Sequence, residues 1–173
     1  MISYVEGDPN AFDKLYRLIA PQLNAYLRRL TRDPSRADDL LQITFTKFHR
    51  ARHQYLIGSP ILPWVFAIAR RSFLDERRSA KVQREELSPD GNLPEPTRTD
   101  ESSSVNDPET IDLALDKLPE AYREAIQLTK IAGLSLNEAA AVLDTTPTAV
   151  KLRVHRGYTL LRIELQHLQR NPI

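Results

Sequence analysis

No cysteine occurs in the 173 residues. That excludes disulfide scaffolds and thiolate metal sites, and suits a reducing compartment. Nowhere do 18 apolar residues run together, so no segment is expected to cross a membrane as a helix. The opening MISYVEGDPNAFDKLY lacks a basic stretch followed by an apolar one, so no signal peptide is expected. Glycines number only 5 and alternating apolar–polar patterns are few, so strands are not expected and the chain reads as all-α. Net charge is only +1, so a polyanionic partner has to be met by local basic patches. The remaining composition, 41% hydrophobic and 27% charged, fits a globular chain of one or two small domains.

The most informative stretch is 136–162, LNEAAAVLDTTPTAVKLRVHRGYTLLR. Leu136, Ala139, Ala140 and Leu143 recur at i, i+3, i+4 and i+7, the spacing of an amphipathic helix. Asp144 and Thr145 break the pattern. Thr146 then stands as an N-cap with Pro147 at the first helical position, where a missing N–H costs nothing. At about 100° per residue, Val150, Val154, Gly157 and Leu161 share one side of the following helix. Thr148, Lys151, Leu152, His155 and Arg156 share the other. A helix seated by one apolar stripe and basic on its outer face suits a DNA major groove. A solvated basic face on an ordinary helical hairpin is the plainer alternative.

Earlier in the chain, Asp8-Pro9 and Asp33-Pro34 are cap-and-start pairs. The first opens a helix with Phe12, Leu15, Tyr16 and Ile19 inward, which Pro21 should end or kink. Leu23, Leu27 and Leu30 continue the stripe to about Thr31. The second opens a helix to about Tyr55 with Ala37, Leu40, Leu41, Phe45 and Phe48 inward, while Asp38, Asp39 and Gln42 take another face. After a Gly58-Ser59-Pro60 loop, Trp64, Ile68, Phe73 and Leu74 are expected to be buried. Arg70, Arg71, Arg77, Arg78 and Lys81 gather positive charge beside Trp64 and Phe66, a combination that suits unstacked bases and phosphates.

Composition shifts over 84–109. Four prolines, four serines and eight acids against two arginines leave almost nothing apolar to offset ordering entropy, so a flexible acidic linker is expected. It divides a first domain, 1–83, from a second, 110–173. In the second, Ile111, Leu115 and Leu118 form a stripe, and Leu118-Pro119-Glu120 ends one helix and starts the next. Ala125, Ile126, Leu128, Thr129 and Ile131 supply that helix's apolar positions. Gly133 then stands as a C-cap, and Ser135 with Glu138 forms a capping box.

Taken together, these motifs resemble bacterial RNA polymerase sigma factors of the smallest, extracytoplasmic-function type. The resembling residues of the first half are Asp39, Leu40, Leu41, Gln42 and Phe45, then Trp64, Ile68, Ala69, Arg70, Asp75 and Arg78. In the second half they are Leu118, Pro119, Arg123 and Glu124, then Gly133-Leu134-Ser135, Glu138, Ala139, Ala140, Leu143, Val150, Lys151, Arg153 and Arg156. Departures include Ile43 where an acid is common, Arg71 for an asparagine, and Ala149 and Leu152 on or beside the recognition face. Asp144 replaces the usual turn glycine, and Asp tolerates left-handed backbone better than most residues.

The resemblance implies two small helical domains joined by the linker, the second ending in a helix–turn–helix. It implies a non-catalytic specificity subunit, without cofactor, metal or small-molecule substrate, cytoplasmic and not inserted in a membrane. Core RNA polymerase would dock on Asp39, Leu40, Gln42 and Phe45. An opened −10 strand would be held by Trp64, Phe66, Arg70, Arg71, Arg77 and Arg78. The −35 element would be read by Thr148, Lys151, Leu152, Arg153, His155 and Arg156. It further implies an anti-sigma partner and a role in a stress or envelope response. A dimeric helix–turn–helix regulator is the main rival, and it leaves the first half unused. An enzyme is the other: His49 and His53 lie at i, i+4, but no acid stands between them.

Overall fold

The computed structural model describes residues 1–87 and 108–170. Among these residues the elements are α1 (Ile2–Val5), α2 (Pro9–Thr31), α3 (Pro34–Arg50), α4 (Ile61–Leu87), α5 (Pro108–Asp116), α6 (Glu120–Ile126), α7 (Leu136–Leu143) and α8 (Pro147–Arg170). A short 3₁₀ turn (Arg52–Gln54) follows α3, and a π-helical turn (Gln127–Ile131) follows α6. No strand is present among the described residues, as the scarcity of alternating patterns predicts.

Helix starts follow the expected caps. The Asp8 carboxylate accepts from Asn10 N, and that of Asp33 accepts from Ser35 N and Arg36 N. Ser135 and Glu138 close a complete capping box at α7. Hydrogen bonds from the Ser135 side chain and backbone hold the Glu138 carboxyl below its ordinary range. A depressed folded value means that the box contributes above the carboxylate range and is lost as pH falls through it. Thr146 Oγ1 accepts from Ala149 N at 3.2 Å, opening α8. Asp144 ends α7 at φ 51°, ψ 54°, the left-handed conformation expected of it.

Several expectations need correction. Pro21 does not end α2: the helix continues past it, 23 residues in all. Pro21 and Arg17 are both exposed, so the carbonyl left without a helical partner lies on the wet face. Helix α3 stops at Arg50, short of Tyr55. Helix α4 continues through 84–87, REEL in sequence, because all four are strong helix formers. The rest of the flexible linker expected at 84–109, residues 88–107, lies outside the described residues. Ile111 is exposed, since Ala114 and Leu115 take the inward side of the short α5.

Helices α2, α3 and α4 pack on one another around Leu23, Leu27, Leu40, Phe48, Val65 and Phe66, all at most 2% exposed. Helix α8 is the spine of the second half, touched by α5, α6 and α7. The two helical domains also pack on each other. Helix α7 lies along α4, and one apolar cluster runs from Tyr26, Phe66, Ala69 and Phe73 into Ala125, Leu128, Leu134, Ala139 and Ala140.

Gly157 sets how closely α8 approaches α6. A Cβ there would lie 2.7 Å from Ile126 Cδ1 and 3.3 Å from Tyr122 Cβ. Gly157→Val should therefore destabilise the protein by about 1–3 kcal/mol in urea unfolding, the usual cost of overpacking. Gly157→Ala should be near neutral, because a helix-propensity gain of about 1 kcal/mol opposes the smaller clash. A Val variant as stable as the parent would show that α6 and α8 can separate freely.

Candidate polymerase and nucleic-acid interfaces

The helix–turn–helix face is arranged as its periodicity requires. Val150, Val154 and Gly157 are buried against the rest of the second half, and Leu161 is half-buried. Thr148, Lys151, Leu152, His155 and Arg156 are all exposed on the outer side of α8, with Arg153 half-buried at its edge. Leu152 contributes an apolar patch, 47% exposed, between Lys151 and the two residues His155 and Arg156 one turn on. The surface offers cationic donors for phosphates and base edges, and a methyl-sized apolar contact.

On α3 the predicted docking residues divide into two kinds. Asp39 and Gln42 are exposed on one face, with Ile43 beside them. Leu40 and Phe45 are buried, and Phe45 packs on Phe12, Tyr16 and Phe48. Their assignment to a contact surface is corrected: they hold α3 in place, and of the four only Asp39 and Gln42 are open to a partner.

The arginine-rich α4 differs more. Phe66 is 0% exposed, with its ring 5.1 Å from that of Tyr26, so it offers no face to a base. Helix α4 touches α2, α3 and α7, and a helix with neighbours on several sides buries more than one stripe. Trp64 is half-buried, its ring 5.2 Å from Phe48 and 5.8 Å from Tyr55. Arg71 and Arg78 are exposed and make no side-chain pair among the described residues. Arg70 and Arg77 are already occupied.

Their partners come from the second half. Arg70 Nε donates to Glu124 Oε1 at 2.8 Å, and Arg70 Nη2 lies 3.4 Å from Oε2. The Tyr26 hydroxyl donates to the same Oε1 at 2.9 Å. Burial first, and the adjacent Glu124 carboxylate second, push the Tyr26 phenol well above its ordinary range, so it stays protonated and can donate. Arg77 Nη1 meets Glu120 Oε1 at 2.6 Å, and its guanidinium sits 5.5 Å above the Phe73 ring. Arg29 meets Asp112 at 2.9 Å. Arg32, in left-handed backbone at φ 56°, donates to the Asp116 carbonyl at 2.8 Å and lies 3.5 Å from its carboxylate.

From the sequence, Asp112 and Asp116 carry no role, Glu120 marks only a helix start and Glu124 only the resemblance, although a signal is there. Asp112 and Asp116 lie one turn apart on α5, and Glu120 and Glu124 lie one turn apart on α6, with the break at 117–119 between the two pairs. Each meets an arginine of the first half.

The histidine pair finds no support as a metal site. His49 Nδ1 is 2.7 Å from the Tyr4 hydroxyl, beside Phe12 in an aromatic cluster. Among the described residues no group of three or more His, Cys, Asp or Glu is gathered to hold a metal. Among the same residues no helix is long and apolar enough to cross a membrane.

Comparison with known proteins covers both halves. The Sigma-70 region 2 family matches residues 15–82, and the Sigma-70, region 4 family matches residues 109–161. The RNA polymerase sigma factor CarQ of Myxococcus xanthus is 34% identical over 174 residues, 98% of this chain and 97% of that protein. The ECF RNA polymerase sigma factor SigL of Mycobacterium tuberculosis is 34% identical over 158 residues, 89% of this chain and 88% of that protein. Among solved structures, the sigma factor RpoE in complex with the anti-sigma factor NepR from Bartonella quintana superposes with a TM-score of 0.76 at 26% identity, covering 90% of this chain and 97% of that one. CnrH in complex with the cytosolic domain of CnrY superposes with a TM-score of 0.72 at 26% identity, covering 96% and 94%. Matches to both sigma regions, in order along one chain and at full length in CarQ, leave the stand-alone regulator without support. The chain therefore belongs to the extracytoplasmic-function sigma factors of the sigma-70 family, the subunits that direct core RNA polymerase to promoters.

Proposed function

We propose the following division of labour within that activity. Residues 1–83 dock on core polymerase and handle the −10 region, residues 110–173 read the −35 element, and the acidic segment 84–109 links them. The observation that carries this reading is the outer face of α8, where five residues suited to groove contacts are exposed while their neighbours on the inner face are buried. Lys151, Leu152, His155 and Arg156, with Thr148 at the helix start, take the major groove, and Arg153 lies at a phosphate. Asp39 and Gln42 take a basic surface of the polymerase. Trp64, Arg70, Arg71, Arg77 and Arg78 hold the opened −10 strand, the arginines at phosphates and Trp64 as a partly exposed ring. Phe66 supports this surface from beneath.

The protein works without catalytic chemistry of its own, in the cytoplasm, where core polymerase is found. An anti-sigma factor holds it inactive until an envelope or stress signal arrives. The support for that partner is indirect: RpoE, which shares this fold, was solved in complex with the anti-sigma factor NepR.

Two variants test the assignment. Asp39 is exposed, so Asp39→Arg should leave thermal unfolding unchanged. It should weaken binding to core polymerase by about 2 kcal/mol or more, through reversed charge at a paired interface. Unaltered core affinity would remove α3 from the docking surface. Arg156→Ala should weaken binding of the full chain to a duplex −35 fragment by about 1–3 kcal/mol if a base contact is lost. Run-off transcription on a promoter library supplies the fragment. Full affinity in this variant would take Arg156 out of the recognition face.

A further inference from the structure

We propose that a cavity walled by α1, α2 and α3 is a binding site for a small aromatic carboxylate, and that its occupant competes with core polymerase. The cavity holds about 590 Å³, within the roughly 300–1,000 Å³ of small-molecule sites. Its apolar wall is made of three rings, Tyr4, Phe12 and Phe45. Phe12 lies 5.7 Å from Tyr4 in a tilted contact and 6.2 Å from Phe45 in an edge-on one. Rings in such contacts, with a side left open to a cavity, suit a further planar ring. The rest of the charged lining is basic. Arg50 and Arg52 stand there with His49, against one acid, Asp8. The Asp8 carboxylate is already engaged in capping α2. Burial holds the Tyr4 phenol above its ordinary range against the opposing effect of Arg52, so it stays protonated and can donate to His49 Nδ1 at 2.7 Å. A histidine bonded in that way carries its own proton on Nε2, where it is a donor and not an acceptor.

The two arginines differ in what they already do. Half-buried Arg52 donates from Nη1 to the His49 carbonyl at 3.0 Å, which ties it to the end of α3. Arg50 is exposed and makes no side-chain pair among the described residues. Its guanidinium is free to take a carboxylate in a two-pronged bond. The combination selects the ligand class: a bare phosphate would leave the rings unused, and a neutral aromatic would leave the cations unpaired. Competition follows from position, and it rests on the reading above that α3 docks on polymerase. Asp39, Ile43, Thr46 and Arg50 recur at i, i+4, i+7 and i+11, so the cavity residues Thr46 and Arg50 continue the face that carries Asp39.

The test titrates the full chain with 2-naphthoate by isothermal calorimetry. Saturable binding at one site is expected. 2-Naphthalenemethanol, with the rings but no charge, and acetate, with the charge but no rings, should each bind about tenfold more weakly or worse, as loss of a bond to a charged group implies for the first. Arg50→Ala should weaken 2-naphthoate by about tenfold for the same reason, and Thr46→Trp, which fills the mouth, should abolish binding. Arg162→Ala removes an exposed arginine of α8, far along the chain, and should change nothing. No saturable binding, equal affinity for the neutral alcohol, or full affinity in folded Arg50→Ala and Thr46→Trp overturns the site. Saturating 2-naphthoate should also weaken the affinity of the parent for core polymerase by about fivefold or more, the lower end of ordinary coupling, and should do so less in Arg50→Ala. If Asp39→Arg weakens core binding while bound 2-naphthoate does not, the docking surface stands and the competition is overturned. If neither changes core affinity, the docking reading falls and the competition with it, while the titrations still decide the cavity.

Discussion

Glu124 is the residue on which the arrangement of the two halves depends. Its side chain is 7% exposed, and removing a carboxylate from water costs on the order of several kcal/mol unless partners replace the lost hydration. Those partners, Arg70 and the Tyr26 hydroxyl, both belong to the first half. The second half therefore cannot bury this acid by itself. Withdrawn from the first half, it would return Glu124 to water and leave Tyr26 and Arg70 without their shared acceptor. The apolar cluster that continues from Phe66 and Ala69 into Leu128 and Ala139 adds a non-directional attraction. The ion pair supplies the register, because a fork-shaped guanidinium accepts a carboxylate in few orientations.

Closure of this kind has a limited strength. The pairs Arg77/Glu120 and Arg29/Asp112 keep much of their surface in water, and exposed pairs contribute about 0.2–1 kcal/mol each. Arg32 holds left-handed backbone while reaching for Asp116. The contact between the halves thus rests on one buried pair, several more exposed pairs and the shared apolar cluster.

Local features were the legible part of the sequence, because each depends on neighbours within four residues. The Asp8, Asp33, Ser135 and Thr146 caps, the left-handed Asp144 and the two faces of α8 all follow from residue type and spacing. Periodicity failed where a helix has more than one buried side. On α4 it pointed to Trp64 and Ile68, but Val65, Phe66 and Ala69 lie deepest. Pro21 is tolerated within α2 because the carbonyl it leaves unpaired faces water. The largest omission was nonlocal: Arg70 and Glu124 are 54 residues apart, and no pattern in either segment announces its partner. The four-residue interval within each pair of acids is visible, but such a pair reads as solvated until an arginine is found opposite.

The absence of native cysteine makes the central claim directly measurable. Nitroxide labels at Leu18→Cys and Ile163→Cys, both exposed and in opposite halves, would report the separation of the halves in the free protein by double electron–electron resonance. A closed state held by Glu124 predicts one narrow distance distribution. It should broaden and lengthen when Arg70→Glu sets two carboxylates against each other. A broad distribution in the parent chain, or one that Arg70→Glu leaves narrow and unmoved, would contradict the account.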